Sequence, residues 1–111
     1  MTTTDSRLEC ALAAIDTANK ADPNQESVGD ERLPKEYAYS LHMTCWLFEL
    51  ESDPSERMQI ACRAQHIERW TLPRSDYPEG RKAYYQWRQA CGRMHGRRAA
   101  EIMAECGYPQ E

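Results

Sequence analysis

The stretch KEYAYSLHMTCWLFEL, residues 35 to 50, is apolar around much of its girth. Ala38, Leu41, Cys45 and Phe48 share one stripe at helical spacing, and Tyr39, Met43, Trp46 and Leu50 lie beside it. A helix with so wide an apolar face must be covered on more than one side, which places it at the centre of a bundle. Pro34 opens it well, because the N–H that proline lacks would have no partner in a first turn. A chain of 111 residues has room for one core and not two, so the segments that cover this helix must come from a single domain spanning 1–111.

Three further helical segments are present. The first runs from about Asp5 to Lys20, with Leu8, Ala11, Leu12 and Ile15 on one stripe and Thr4 or Asp5 as its cap. The stretch ADPNQESVGDERLP has no apolar period and reads as a long loop. SDPSERMQIACRAQHIERW opens on a capping signal, with Ser52, Asp53 or Ser55 available, and carries Ile60, Ala61, Ala64 and Ile67 on a helix that ends near Trp70. Pro73 and Pro78 break the link that follows. The last helical region spans about Glu79 to Glu105, with Gly92 and Gly96 as points of bending or division and Gly107 as terminator. No segment alternates with period two for more than a few residues, so the expected fold is all-α, a compact bundle of four to five helices.

No apolar run approaches the roughly 20 residues of a membrane span, and the N-terminus lacks a secretory pattern, so a cytoplasmic setting is expected. The five cysteines form no CxxC pair and no zinc spacing, which argues for reduced core residues and against a disulfide framework. Net charge is −4, but residues 57 to 98 carry ten basic groups, nine of them arginine, against only Glu68, Asp76 and Glu79. Either this half pairs with the acidic remainder, or its guanidinium forks face an anionic ligand.

The three histidines, His42, His66 and His95, are too far apart for an HExxH motif, so a shared site must be assembled by packing. Each alone is equally readable as a satisfied structural histidine. The succession DTANKADPN, LPKEYAYSLHM, AQHIERWTLPRSDYP, GRKAYYQWRQACGRMH and AAEIMAECGY resembles, in order and over nearly the whole chain, the family known as domain of unknown function 4202. That family pattern continues past Gly107, so the resemblance implies a unit incomplete at its C-terminus, finished by a further segment or by a partner such as a second copy. Exposed apolar surface is then expected along Trp46, Leu50 and the last helix.

A fainter similarity is to the HD-domain superfamily of metal-dependent phosphohydrolases. AQHIERWTLP stands in the place of the helix ending in the His–Asp pair, HGRRAAEIM looks like the later histidine helix, and YSLHMTCWL like the helix carrying the first histidine. The departures are specific: Ile67 follows His66 where that pattern has aspartate, Tyr39 stands where the first histidine belongs with His42 one turn further on, and the final carboxylate lies beyond the chain. The HD-like resemblance implies a divalent metal held by His66, His95 and His42, with His66, His95 and Glu68 as catalytic groups. Arg69, Arg74 and Arg88 would hold phosphate, and Trp70 and Tyr77, with Tyr84, Tyr85 and Trp87, would form a stacking wall for a base. Tyr84 and Trp87 are three apart on a helix, so core packing explains them equally well.

Two functions follow. One is metal-assisted hydrolysis of a phosphorylated small molecule or nucleotide. The other is a non-catalytic helical module that binds a nucleotide, nucleic acid or acidic protein partner through its basic 57–98 surface.

Overall fold

The computed structural model describes residues 3 to 109, with side chains from Ser6 onward. Four α-helices, α1 (Thr3–Lys20), α2 (Lys35–Leu50), α3 (Glu56–Arg63) and α4 (Arg81–Glu105), account for most of it, and two single-turn 3-10 helices cover Arg69–Thr71 and Arg74–Asp76. The expected caps Thr4 and Asp5 lie outside the described side chains.

The fold is mostly helical but not purely so. Within the stretch expected to be a loop, β1 (Gln25–Val28) and β2 (Glu31–Pro34) pair antiparallel, with Gln25 opposite Pro34 and Val28 opposite Glu31. Gly29 makes the two-residue turn possible: its φ of +62° opens the Gly-Asp pair as a tight hairpin connection requires. Both strands are largely exposed, which is why their composition carries no apolar alternation.

The centre of the bundle is α1 and not α2. Ala11 and Ile15 of α1 are fully buried and meet Ile60 of α3, Ala64 and Ile67 just after it, and Ile102 of α4. Each of the other three helices packs against α1. α2 buries Ala38, Ser40 and Leu47 on one side, but Trp46 and Leu50 are 63% and 82% exposed and Phe48 is also open. The C-terminal half of α2 therefore turns apolar side chains of both stripes outward. Among the described residues no helix is long and apolar enough to cross a membrane.

Asp22, almost fully buried, joins three elements. Its Oδ1 accepts from the backbone N–H and the Nδ2 of Asn24, at 2.9 and 3.0 Å, while its Oδ2 accepts from the backbone N–H of Glu36 at 2.9 Å. Pro34, at the start of α2, has no side-chain acceptor to offer. Asp22 supplies from 14 residues upstream the carboxylate that a local cap would have given, and its negative charge sits favourably at the helix N-terminus. The Lys35 N–H closes the other end of the hairpin on the Asn24 carbonyl, at 2.9 Å.

Ser55 caps α3 as expected, accepting from the Met58 N–H at 3.1 Å. The helix stops at Arg63, earlier than expected, and residues 64 to 68 form a run of turns ending on Glu68 in the left-handed region, φ +54°. The backbone groups that further helix would have paired are taken from elsewhere: Asn19 Oδ1 accepts the Glu68 N–H at 3.4 Å, and His95 donates to the Ile67 carbonyl at 2.8 Å. Arg63 locks the helix in place, giving Nε and Nη2 to the Asp16 carboxylate at 2.7 and 2.8 Å and Nη1 to the Thr44 hydroxyl at 3.0 Å.

α4 runs unbroken through Gly92 and Gly96 for 25 residues, about 37 Å at helical rise, and ends at Gly107 with φ +95°. Its last turn lies beside α1, where Cys10 and Cys106 form a disulfide across 96 residues, with Cα atoms 5.7 Å apart. This corrects the expectation of five reduced cysteines. Packing, and not sequence spacing, makes the pair. Cys45, Cys62 and Cys91 are free thiols.

Two outcomes test this architecture. Replacing Asp22 with Ala leaves the Glu36 N–H buried without an acceptor, at a cost of about 1–3 kcal/mol, and thermal unfolding followed by circular dichroism will show a midpoint lower by roughly 5 °C or more. Reducing the disulfide, or replacing both cysteines by Ser, restores freedom to a long loop in the unfolded chain. Denaturant titration will register a loss of about 2–4 kcal/mol.

Candidate functional site

His66 stands in the turn after α3 with both neighbours fixed. Ile67 is fully buried, its carbonyl is bound by His95, and Glu68 is held through its N–H by Asn19 and through its carboxylate by Arg98 at 2.9 Å. The imidazole therefore leaves the core in one direction, toward α2, and lies flat on Tyr39, ring centroids 3.9 Å apart and planes within 8°.

Glu36 faces the imidazole from the first turn of α2. It is a buried carboxylate whose Oε1 is 3.2 Å from His66 Nδ1. An ionised carboxylate only accepts, so Nδ1 carries the proton and Nε2 presents a lone pair. Arg69 brings Nη1 to 3.3 Å from both Nδ1 and Nε2, which sets its guanidinium over the open face of the ring. The same guanidinium lies 5.0 Å from the centroid of the Trp87 ring, a cation–π arrangement, and the Trp87 indole N–H is tied to the Leu72 carbonyl at 2.8 Å. The result is a layered row of Tyr39, His66, Arg69 and Trp87, anchored at one end by the α2 N-terminus and at the other by α4.

His95, on α4, is the second histidine of the group, its ring centroid 6.0 Å from that of His66. Its Nδ1–H donates to the Ile67 carbonyl, which leaves Nε2 as an acceptor. Burial pushes its pKa below the ordinary imidazole value, the Ile67 hydrogen bond opposes this, and the nearby His66 and Arg69 lower it further. His95 is a neutral imidazole at pH 7.

On the α4 side of the row lies a cleft of about 390 Å³ lined by Gln65, His66, Arg69, Tyr84, Trp87, Arg88, Cys91, Gly92 and His95. No carboxylate lines it. Among the described residues neither Arg69 nor Arg88 forms an ion pair, so two guanidinium groups and two imidazoles meet in one concavity without a counter-charge. On the α2 side is a second cleft of about 330 Å³, lined by Glu26, Lys35, Glu36, Tyr39 and His42. His66 and Arg69 also line it and form the wall between the two.

The residues expected from sequence divide. His66, His95, Arg69 and Arg88 come together in the first cleft, with Tyr84 and Trp87 of the expected aromatic wall. His42 lines only the second. Glu68 does not join them, because its carboxylate is committed to Arg98. Arg74 closes its own loop, donating to the carbonyls of Tyr77 and Pro78 at 3.2 and 2.8 Å. Trp70 and Tyr77 line neither cleft. Sequence reasoning did not single out Glu36, Tyr39 or Gln65 for the site. An acidic residue in a first helical turn, as Glu36 is, ordinarily complements the helix dipole and gives no sign of a buried partner.

The donor set does not suit the expected metal. Among the described residues no group of three or more His, Cys, Asp or Glu stands close enough to hold an ion. Arg69 Nη1 lies 3.3 Å from both His66 ring nitrogens, and its fixed positive charge opposes a metal at that point. Two guanidinium groups with no carboxylate beside them in the cleft favour an anion.

Residues 9–111 match the model of a family described as a domain of unknown function, DUF4202. No curated protein and no solved structure matches the chain significantly.

The lowered pKa of His95 carries a pH signature. Its folded value lies below its unfolded value of about 6.5, so the unfolded chain takes up the proton first and stability falls as pH drops through and below 6.5. Urea midpoints measured between pH 7.5 and pH 5 will fall for the wild type, and the fall will be shallower for His95→Gln, which keeps a donor for the Ile67 carbonyl but does not titrate. Parallel curves for the two proteins would assign the acid sensitivity to other groups.

Proposed function

The chain belongs to the DUF4202 family, and we propose that it binds a phosphorylated small molecule or nucleotide in the cleft beneath Arg69. One observation carries this reading: Arg69, held between Trp87 and His66, points a guanidinium with no carboxylate partner into a concavity shared with Arg88 and His95. Leaving such a group uncompensated costs stability unless a ligand anion completes it, and the planar fork matches phosphate oxygens in pairs. The ring of Tyr84, 40% exposed, lines the same cleft beside the buried Trp87 and gives a ring-bearing ligand a place to stack.

The alternative of a broad electrostatic surface has less behind it. Of the ten basic groups in residues 57 to 98, Arg63 and Arg98 are bound to Asp16 and Glu68, and Arg74 to backbone carbonyls, and of the others only Arg69 and Arg88 share a cleft with the histidines and aromatic rings.

Hydrolysis is a second reading, favoured by the Glu36–His66 pair. His66 lines the cleft, and an imidazole whose Nδ1 is fixed by a buried carboxylate is placed to move a proton at Nε2. Nothing in this reading passes through a metal.

Isothermal titration calorimetry with inorganic phosphate and with adenosine 5′-monophosphate tests the binding. Both are expected to bind at low salt, the nucleotide more tightly, with affinity falling as salt rises. Arg69→Ala and Arg88→Ala will each weaken binding at least tenfold, and Arg69→Lys will not restore it because an ammonium lacks the fork. Absence of binding at low salt, or wild-type affinity in Arg69→Ala, would overturn the proposal.

A further inference from the structure

The second cleft differs from the first in its charge. Where the first is lined by Arg69 and Arg88 with no carboxylate, the second sets Lys35 and Arg69 against Glu26 and Glu36, two cations against two carboxylates. Lys35 and Glu26 are exposed, and among the described residues neither forms an ion pair, so an ammonium and a carboxylate on opposite elements are both free to face a ligand. Lys35 opens α2 and Glu26 lies on β1, and the Asp22 and Asn24 hydrogen bonds fix the two elements to each other.

We propose that the second cleft receives an uncharged, hydroxyl-bearing group esterified to the phosphate held by Arg69, so that the ligand is a phosphodiester straddling the His66–Arg69 wall. The inference rests on the phosphate reading above and names the ligand class.

Three observations bear on it. Arg69 is the cation common to both clefts, so a phosphate on it has one arm open to each side. The two sides differ in kind: the Tyr84 and Trp87 rings line one, and the other offers Lys35 and His42 as donors and Glu26 as acceptor, a mixed set that suits hydroxyl groups. The charge of the whole site also matches. Arg69, Arg88 and Lys35 against Glu26 and Glu36 leave one positive charge in excess, which a phosphodiester with its single negative charge neutralises and a monoester carrying nearly two does not.

The test compares adenosine 5′-monophosphate with the same nucleotide carrying a glycerol ester on its phosphate, both titrated calorimetrically into the full chain. The diester is expected to bind at least tenfold more tightly than the monoester. Lys35→Ala and Glu26→Gln, both substitutions of exposed side chains, are each expected to bring the ratio of the two affinities close to one. A wild-type ratio at or below one, with the monoester bound, overturns the phosphodiester inference and leaves the phosphate reading standing. A ratio that neither substitution changes overturns it as well, because the extra affinity would then arise outside the second cleft. If neither compound binds, both readings fall together.

Discussion

The Asp22 carboxylate is the contact on which the rest of the arrangement depends. Buried at the point where α1 gives way to the hairpin, it accepts from Asn24 with one oxygen and from the Glu36 N–H with the other. It thereby sets where α2 begins, and with it the direction of the Glu36 side chain and the height at which Tyr39 stands one turn later. His66 lies flat against Tyr39 and hydrogen-bonded to Glu36, so its position is inherited from a side chain 44 residues away in sequence that it does not touch. A buried carboxylate is costly to desolvate unless its oxygens are occupied. Here three donors occupy them, and the group becomes a rigid joint.

Arginine does two kinds of work in this chain. Arg63 grips Asp16 with two nitrogens and joins three helices, while Arg98 secures the left-handed residue Glu68. Among the described residues Arg69 and Arg88 form no ion pair, and no carboxylate lines the cleft they share. The same residue type at the same local density thus serves both as internal fastening and as an uncompensated field directed into a concavity. Only the three-dimensional placement of the few acids in this half separates the two uses.

Much of the helical framework was legible from spacing and punctuation: four helical segments, the Ser55 cap and the Gly107 stop follow from local rules that tertiary contacts do not override. The hairpin was not, because exposed strands of four residues show no apolar alternation, although Gly29-Asp30 is a turn signal in its own right. The centrality of α1 was hidden for a related reason. α2 is the more apolar helix, but Ala11 lets neighbours approach α1 closely and Ile15 fills the core between them, and Trp46 and Leu50 are not where those neighbours lie. Within the site, His66, His95, Arg69 and Arg88 were grouped by the HD-like resemblance, and all four line one cleft. Glu36 escaped notice because a carboxylate in a first helical turn has an ordinary explanation, and Arg74, adjacent in sequence to the cleft residues, was lost to carbonyls that only the folded loop presents. The Cys10–Cys106 bridge could not be read from spacing, since 96 residues of folding bring the two thiols together.

The row that ends on Trp87 gives the site an optical property. Trp87 is only 7% exposed, with its N–H hydrogen-bonded and a guanidinium over its face, whereas Trp46 is 63% exposed on the far end of α2 and Trp70 stands apart from the cleft. An indole held away from water emits at shorter wavelength than one in contact with it. A cation over its ring also perturbs its excited state, so any displacement of Arg69 is reported by the blue edge of the intrinsic emission, while Trp46 contributes a red component that collisional quenchers can remove. The cleft carries its own chromophore, and its occupancy is accessible to a spectrometer without a label.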